Sequence, residues 1–122
     1  MTVQLNHTIV AARDNAVSAS FIAEILGLPA PKRLGHFMAV SVDNGVTLDF
    51  MDTTDDVVSQ HYAFLIGEDD FDEIFGRIKE RELTYWADPG RTRAYEVRTR
   101  DGGRGVYFLD PDGHLMEILT RA

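Results

Sequence analysis

The sequence contains no cysteine, which excludes disulfide frameworks, cysteine-ligated zinc and thiol nucleophiles together. It has only four prolines and no apolar run near the roughly 18–20 residues that a membrane span needs. No signal-peptide pattern stands at its N-terminus. Basic charge is scarce as well: 12 Lys and Arg against 20 Asp and Glu give a net charge of −8. A nucleic-acid binder needs a basic footprint that this balance does not provide. A cytoplasmic protein with neither nucleic-acid nor membrane partners is therefore expected. With 44% hydrophobic and 26% charged residues over 122 positions, the chain is expected to form a single globular domain, 1–122, with a core of its own.

The charge is unevenly spread. Residues 88–104 hold Arg91, Arg93, Arg98, Arg100 and Arg104 against Asp88, Glu96 and Asp101. The remainder carries seven basic against seventeen acidic side chains. Such a segment is either a solvated loop or a local anion-attracting lid on an acidic body.

The chain repeats itself. Residues 5–12 form a strand-like run; Asp14 and Asn15 then supply a helix start, and Val17, Phe21, Ile25 and Leu28 follow at helical spacing. Gly27 suits the helix stop, and Pro29 and Pro31 prevent continuation. Phe37–Val42 and Val46–Met51 flank Asp43-Asn44-Gly45, a strong hairpin signal. The second half replays this order with a strand at Gln60–Ile66, an acidic helix start at Glu68-Asp69-Asp70, and an apolar stripe of Phe71, Ile74, Phe75 and Ile78. A short apolar stretch at Leu83–Trp86 precedes two strands, Val106–Leu109 and Leu115–Leu119, joined by Asp110-Pro111-Asp112-Gly113. Residues 88–104 read as an irregular loop or a ragged extra hairpin. The expected fold is α+β: two tandem βαβββ modules, about 3–53 and about 59–121, with helices outside and the inner sheet faces curled into a cleft.

Strand alternation sorts the side chains that face such a cleft. His7 shares a face with Leu5 and Ile9, and His61 with Ala63 and Leu65. Asp49 lies beside Thr47 and Met51, and Glu117 interrupts an otherwise apolar last strand. The two histidines occupy matching places in the two first strands, and the two carboxylates matching places in the two last strands. Unpaired carboxylates inside strands are costly, so a shared partner is expected, and a divalent cation is the economical one. Two imidazoles with one or two carboxylates suit Fe(II), Mn, Ni or Zn with positions left open. His36 and His114 fall outside the repeat and are expected to be structural.

These same residues carry a resemblance. From Leu5-Asn6-His7 to Glu117-Ile118-Leu119, and most specifically in Gln60-His61-Tyr62-Ala63-Phe64 and in Val106–Glu117, the chain resembles the vicinal oxygen chelate superfamily. That superfamily spans glyoxalase I, fosfomycin-resistance thiol transferases, methylmalonyl-CoA epimerase, extradiol dioxygenases and bleomycin-binding proteins. The resemblance implies metal ligation by His7, His61 and Glu117, with Asp49 as fourth ligand or general base, and a substrate contact for Tyr107. It also implies a homodimer in which His7 and Asp49 of one chain join His61 and Glu117 of the other. The chain departs from particular members. Ala11 stands where glyoxalase I has an arginine, Ile9 where fosfomycin-resistance enzymes have a threonine, and Asp101 and Gly105 where they have serines.

The expected function is a metal-dependent enzyme that chelates a small, oxygen-bearing substrate and stabilises an oxyanion or enediolate, in lyase, isomerase or transferase chemistry. Arg93, Arg98 and Arg100 are candidates for drawing in an anionic substrate, and Trp86 for contacting it. One divalent metal ion and no organic cofactor are expected. Two alternatives remain open: an Fe(II) ring-cleaving dioxygenase, and a protein that sequesters a flat apolar compound between Trp86, Tyr85, Phe37 and Tyr107.

Overall fold

A computed structural model describes residues 2–122. The chain divides into two compact units, up to Val58 and from Ser59. In the first unit the elements run β1 (His7–Ala12), α1 (Asn15–Leu26), β2 (Lys32–Leu34), β3 (Phe37–Ser41) and β4 (Thr47–Asp52). The sheet order is β1-β4-β3-β2, with β1 and β4 parallel and the other pairs antiparallel. A parallel pair at one end of an antiparallel meander follows from the helix between β1 and β2, which returns the chain to the far edge.

Helix α1 starts and stops as its sequence dictates. The Asp14 side chain accepts from the Val17 amide, and Gly27 takes the left-handed conformation at φ 69° that closes the last turn. The buried face differs from the expected one. Ser18, Ala19, Ile22, Ala23 and Ile25 are buried, while Val17 is 54% exposed. Small residues decide this: Ala19 and Ala23 let the helix approach the sheet closely, which a face built on Val17 and Phe21 would prevent. The helix covers Val10, Ala12, Leu48 and Phe50, all buried, each fully buried large side chain contributing roughly 1.5–3 kcal/mol. Asp43-Asn44-Gly45 makes a three-residue hairpin loop closed by Val42 and Val46, with Gly45 at φ 83°.

The second unit runs β5 (His61–Leu65), α2 (Glu68–Glu80), β6 (Tyr85–Trp86), β7 (Arg98–Arg100), β8 (Gly103–Leu109) and β9 (Leu115–Leu119). Its sheet order is β5-β9-β8-β6, with β7 also paired to β8. Residues 98–105 therefore form a regular hairpin, and β7 is an addition to the βαβββ pattern. Helix α2 buries Phe71, Ile74 and Ile78, and the buried Met116, Ile118, Val106 and Phe108 lie on one face of the sheet. Arg104 ties β8 to this helix, donating to Glu68 and Asp72 at 2.6 and 2.9 Å with its guanidinium 4.3 Å from the Phe71 ring centre. No helix among the described residues is long and apolar enough to cross a membrane.

Candidate metal and substrate site

The side of the second sheet opposite its buried apolar face carries the polar candidate residues. Register sets Ala63, Glu117, Tyr107 and Trp86 in one row across β5, β9, β8 and β6. The next row is Leu65, Leu119, Gly105 and Arg98. Glu117 is nearly buried, with 8% of its side chain exposed, and both its oxygens are engaged. Oε1 lies 3.0 Å from His61 Nε2, and Oε2 accepts from Arg98 Nη2 at 3.1 Å. Arg98 Nη1 also donates to the Tyr107 hydroxyl at 3.3 Å. The structure thus brings four sequence-nominated residues together: His61, Glu117, Tyr107 and Arg98.

The protonation of His61 follows from its other nitrogen. Nδ1 lies 2.9 Å from the Leu115 carbonyl oxygen, which only accepts, so Nδ1 carries the proton. With Nδ1 tethered in this way, Nε2 faces a carboxylate oxygen, an arrangement satisfied by a proton between them or by a cation. Tyr107 is held protonated: burial foremost, then the Glu117 charge, raises its pKa above the ordinary phenol value.

The first unit repeats the device. His7 is exposed at the start of β1, its Nδ1 donating to the Asn6 side-chain oxygen at 2.7 Å, so Nε2 is again the free nitrogen. In the parallel pair β1–β4, His7 lies beside Thr47 and Ile9 beside Asp49, which puts His7 and Asp49 on one face. Asp49 Oδ1 is buried without a hydrogen-bond partner. Among the described residues, no group of three or more His, Cys, Asp or Glu gathers within the single chain. Within each unit the donors nevertheless suit a divalent cation: an imidazole tethered through Nδ1 with an orphaned carboxylate oxygen in the first, and one with a carboxylate facing its ring nitrogen in the second.

Other nominated residues stand elsewhere. Arg93 pairs with Glu96 at 2.9 Å, both side chains more than half exposed. Arg100 is 79% exposed beside Asp101, though it lines a pocket of about 360 Å³ with Arg98, Arg104, Arg121, Tyr107 and Glu117. Trp86 shares the face of Tyr107, with Arg91 5.8 Å from its ring. Tyr85 points to the opposite face, edge-on to Phe75 at 4.9 Å, so the aromatic set proposed for a flat ligand is split. His114 is fully buried and accepts from the Gln60 amide at 3.0 Å, a structural role.

The sequence marks Gly105 only as a departure from the fosfomycin-resistance pattern, not as a seat for Arg98. A Cβ there would come within 2.9 Å of Arg98 Nη2 and 3.1 Å of the Ile118 carbonyl oxygen. The missing side chain is what lets the guanidinium cross β8 to reach Glu117. The structure places this glycine inside β8, where a strand glycine marks a close approach.

Comparison with known proteins adds a second line. The profile of the Glyoxalase/Bleomycin resistance protein/Dioxygenase superfamily matches residues 4–118. Glutathione transferase FosA of Serratia marcescens is 31% identical, over 97% of this chain and 81% of its own length. Metallothiol transferase FosB of Lysinibacillus sphaericus (strain C3-41) is 30% identical, over 98% of this chain and 84% of its own. Among solved structures, Oxidase ChaP-H1 superposes with a TM-score of 0.97 at 63% identity, covering 99% of this chain and 98% of that one. Oxidase ChaP-H2 gives 0.98 at 59% identity, covering 100% and 96%.

Proposed function

Because this chain belongs to the Glyoxalase/Bleomycin resistance protein/Dioxygenase superfamily, as its motifs imply, we propose that it is a metal-dependent oxidase acting on a small, oxygen-rich and anionic substrate. The observation that carries the oxidase reading is the 63% identity to Oxidase ChaP-H1 over nearly the whole of both chains. The family alone does not choose a reaction, since one scaffold serves several chemistries. Oxygen-activating chemistry thereby moves ahead of the lyase, isomerase and transferase chemistry that the sequence put first. Transfer to a thiol is disfavoured by Ile9, Asp101 and Gly105, which stand where the fosfomycin-resistance pattern has hydroxyl side chains.

His61 and Glu117 of one chain, with His7 and Asp49 of a second, would hold the cation. Iron(II) in such a two-histidine, carboxylate set supplies redox chemistry with dioxygen and a Lewis-acid contact for a chelating substrate. The protein's own groups do the rest. Tyr107, held as a neutral phenol, donates a hydrogen bond to a substrate oxygen. The arginine-lined pocket beside it favours a phenolate, enolate or carboxylate. Asp49, with an oxygen free of hydrogen bonds, is either a further ligand or the base that takes the substrate proton.

Elemental analysis of protein purified without chelators tests the metal, and an oxygen electrode tests the reaction. About one iron, manganese, nickel or zinc per chain, lost in both His61→Ala and Glu117→Ala, is expected. Protein loaded anaerobically with iron(II) should then consume oxygen with catechols or related polyphenols. Metal without oxygen consumption over a broad polyphenol set would reject the oxidase reading and keep the site. Failure to take up any metal would reject both.

A further inference from the structure

We propose that Arg98, seated by the bare backbone of Gly105, competes with the divalent cation for Glu117 and so sets the affinity of the metal site. The inference rests on the metal reading above and adds to it a positioning pair that lies outside the proposed ligand set. Its first support is geometric. Arg98 lies directly opposite Gly105 in the β7–β8 ladder, and from there Nη2 reaches Glu117 Oε2 at 3.1 Å while Nη1 reaches the Tyr107 hydroxyl. A single methyl group at position 105 would stand 2.9 Å from that same Nη2, so the guanidinium would have to shift from its place over the strand.

The second support is charge. Glu117 is almost wholly withdrawn from water and Arg98 is only about a quarter exposed, so little solvent screens one from the other. The guanidinium already neutralises the carboxylate. An incoming dication therefore meets a pair of zero net charge where an unpartnered Glu117 would offer a full negative charge, and it must approach against the arginine. A hydrogen-bonded cationic side chain and a metal ion drawing on one carboxylate weaken each other's hold. By reciprocity, a bound cation loosens the guanidinium from Glu117 to the same degree. Arg93 and Arg100 pair instead with the exposed acids Glu96 and Asp101.

Equilibrium binding of cobalt(II), measured by competition with a chromophoric chelator, tests this without any turnover. Arg98→Ala should bind cobalt(II) about tenfold more tightly than the wild-type protein, within the usual range of coupling between linked sites. Arg98→Lys, which keeps the charge, should return to within a few-fold of wild type. Gly105→Ala should tighten binding by displacing the guanidinium, and should add nothing in the Arg98→Ala background, where the two effects share one cause. If Gly105→Ala fails to fold, the Arg98 pair still decides. Unchanged or weaker binding in Arg98→Ala, with the wild type binding normally, would overturn the competition and leave the metal site standing. No cobalt(II) binding by either protein would overturn the metal reading, and the competition with it.

Discussion

The Leu115 carbonyl accepts the His61 Nδ1 proton at 2.9 Å, and that one backbone contact determines which ring nitrogen faces Glu117. A metal-ligating imidazole needs its second nitrogen fixed in this way. In zinc-loaded, nitrogen-15-labelled protein, His61 should keep its Nδ1 proton while the Nε2 resonance shifts on metal addition. Finding the proton on Nε2 with zinc present would remove His61 from the ligand set.

Asn15 is almost completely buried and donates from its side chain to the carbonyls of His36 and Phe50 at 3.1 and 3.3 Å. Its backbone amide donates to Asp52 Oδ1 at 2.7 Å. It fastens the start of α1 to the sheet. Asn15→Ala should destabilise the protein by about 1–3 kcal/mol, the cost of leaving buried groups unpaired. Asn15→Asp should be worse, although an acid in a first turn normally helps a helix, because it sets a carboxylate against two carbonyls and Asp52. Urea unfolding with an unchanged slope measures both, and equal losses would show that the hydrogen bonds are not the cause.

Burial raises the pKa of both Tyr107 and Tyr62, aided by Glu117 in the first case and Asp110 in the second. The folded chain therefore holds these two protons more tightly than the unfolded one. The stability tied to them is fully present below the unfolded value near 10 and is lost as pH rises through the higher folded values. Urea midpoints should therefore fall as the pH rises past the ordinary phenol value of 10.0. Tyr107→Phe and Tyr62→Phe should each remove part of that fall. A pH profile identical in the double variant would place the alkaline loss elsewhere.

Much of this fold is legible in the chain because its periodic signals agree with one another. Asp14, Gly27, Gly45 and Gly113 each sit where a cap or turn demands them, and the His–His and Asp–Glu correspondences follow from the repeat. Residues 98–105 resist such reading. Asp101-Gly102 is a good two-residue turn, both residues having positive φ, yet Arg98-Thr99-Arg100 and Gly103-Arg104-Gly105 show no apolar alternation to mark strands. The face of α1 is misread for a related reason: Ala19 and Ala23 matter through closeness of approach, which a hydrophobic stripe does not register. Arg98 is legible as a basic residue but not as the partner of Glu117. That depends on β7 pairing with β8 in the register that sets Arg98 against Gly105.

The proposal that two chains share each site makes a prediction that depends on which chains carry which ligands. His7 and Asp49 belong to one compact unit and His61 and Glu117 to the other, and no three such side chains gather within the single chain among the described residues. If each site combines His7 and Asp49 of one chain with His61 and Glu117 of a second, a mixed dimer of His7→Ala and His61→Ala chains has one intact site and one lacking both histidines. Each variant alone should bind little metal. Co-refolded in equal amounts and separated by differently charged tags, the mixed dimer should hold close to one cation per dimer and regain up to half the wild-type activity. Sites built wholly within one chain predict the opposite, since every site in the mixed dimer would then lack one histidine. A mixed dimer as empty as its parents would assign all four ligands to the same chain.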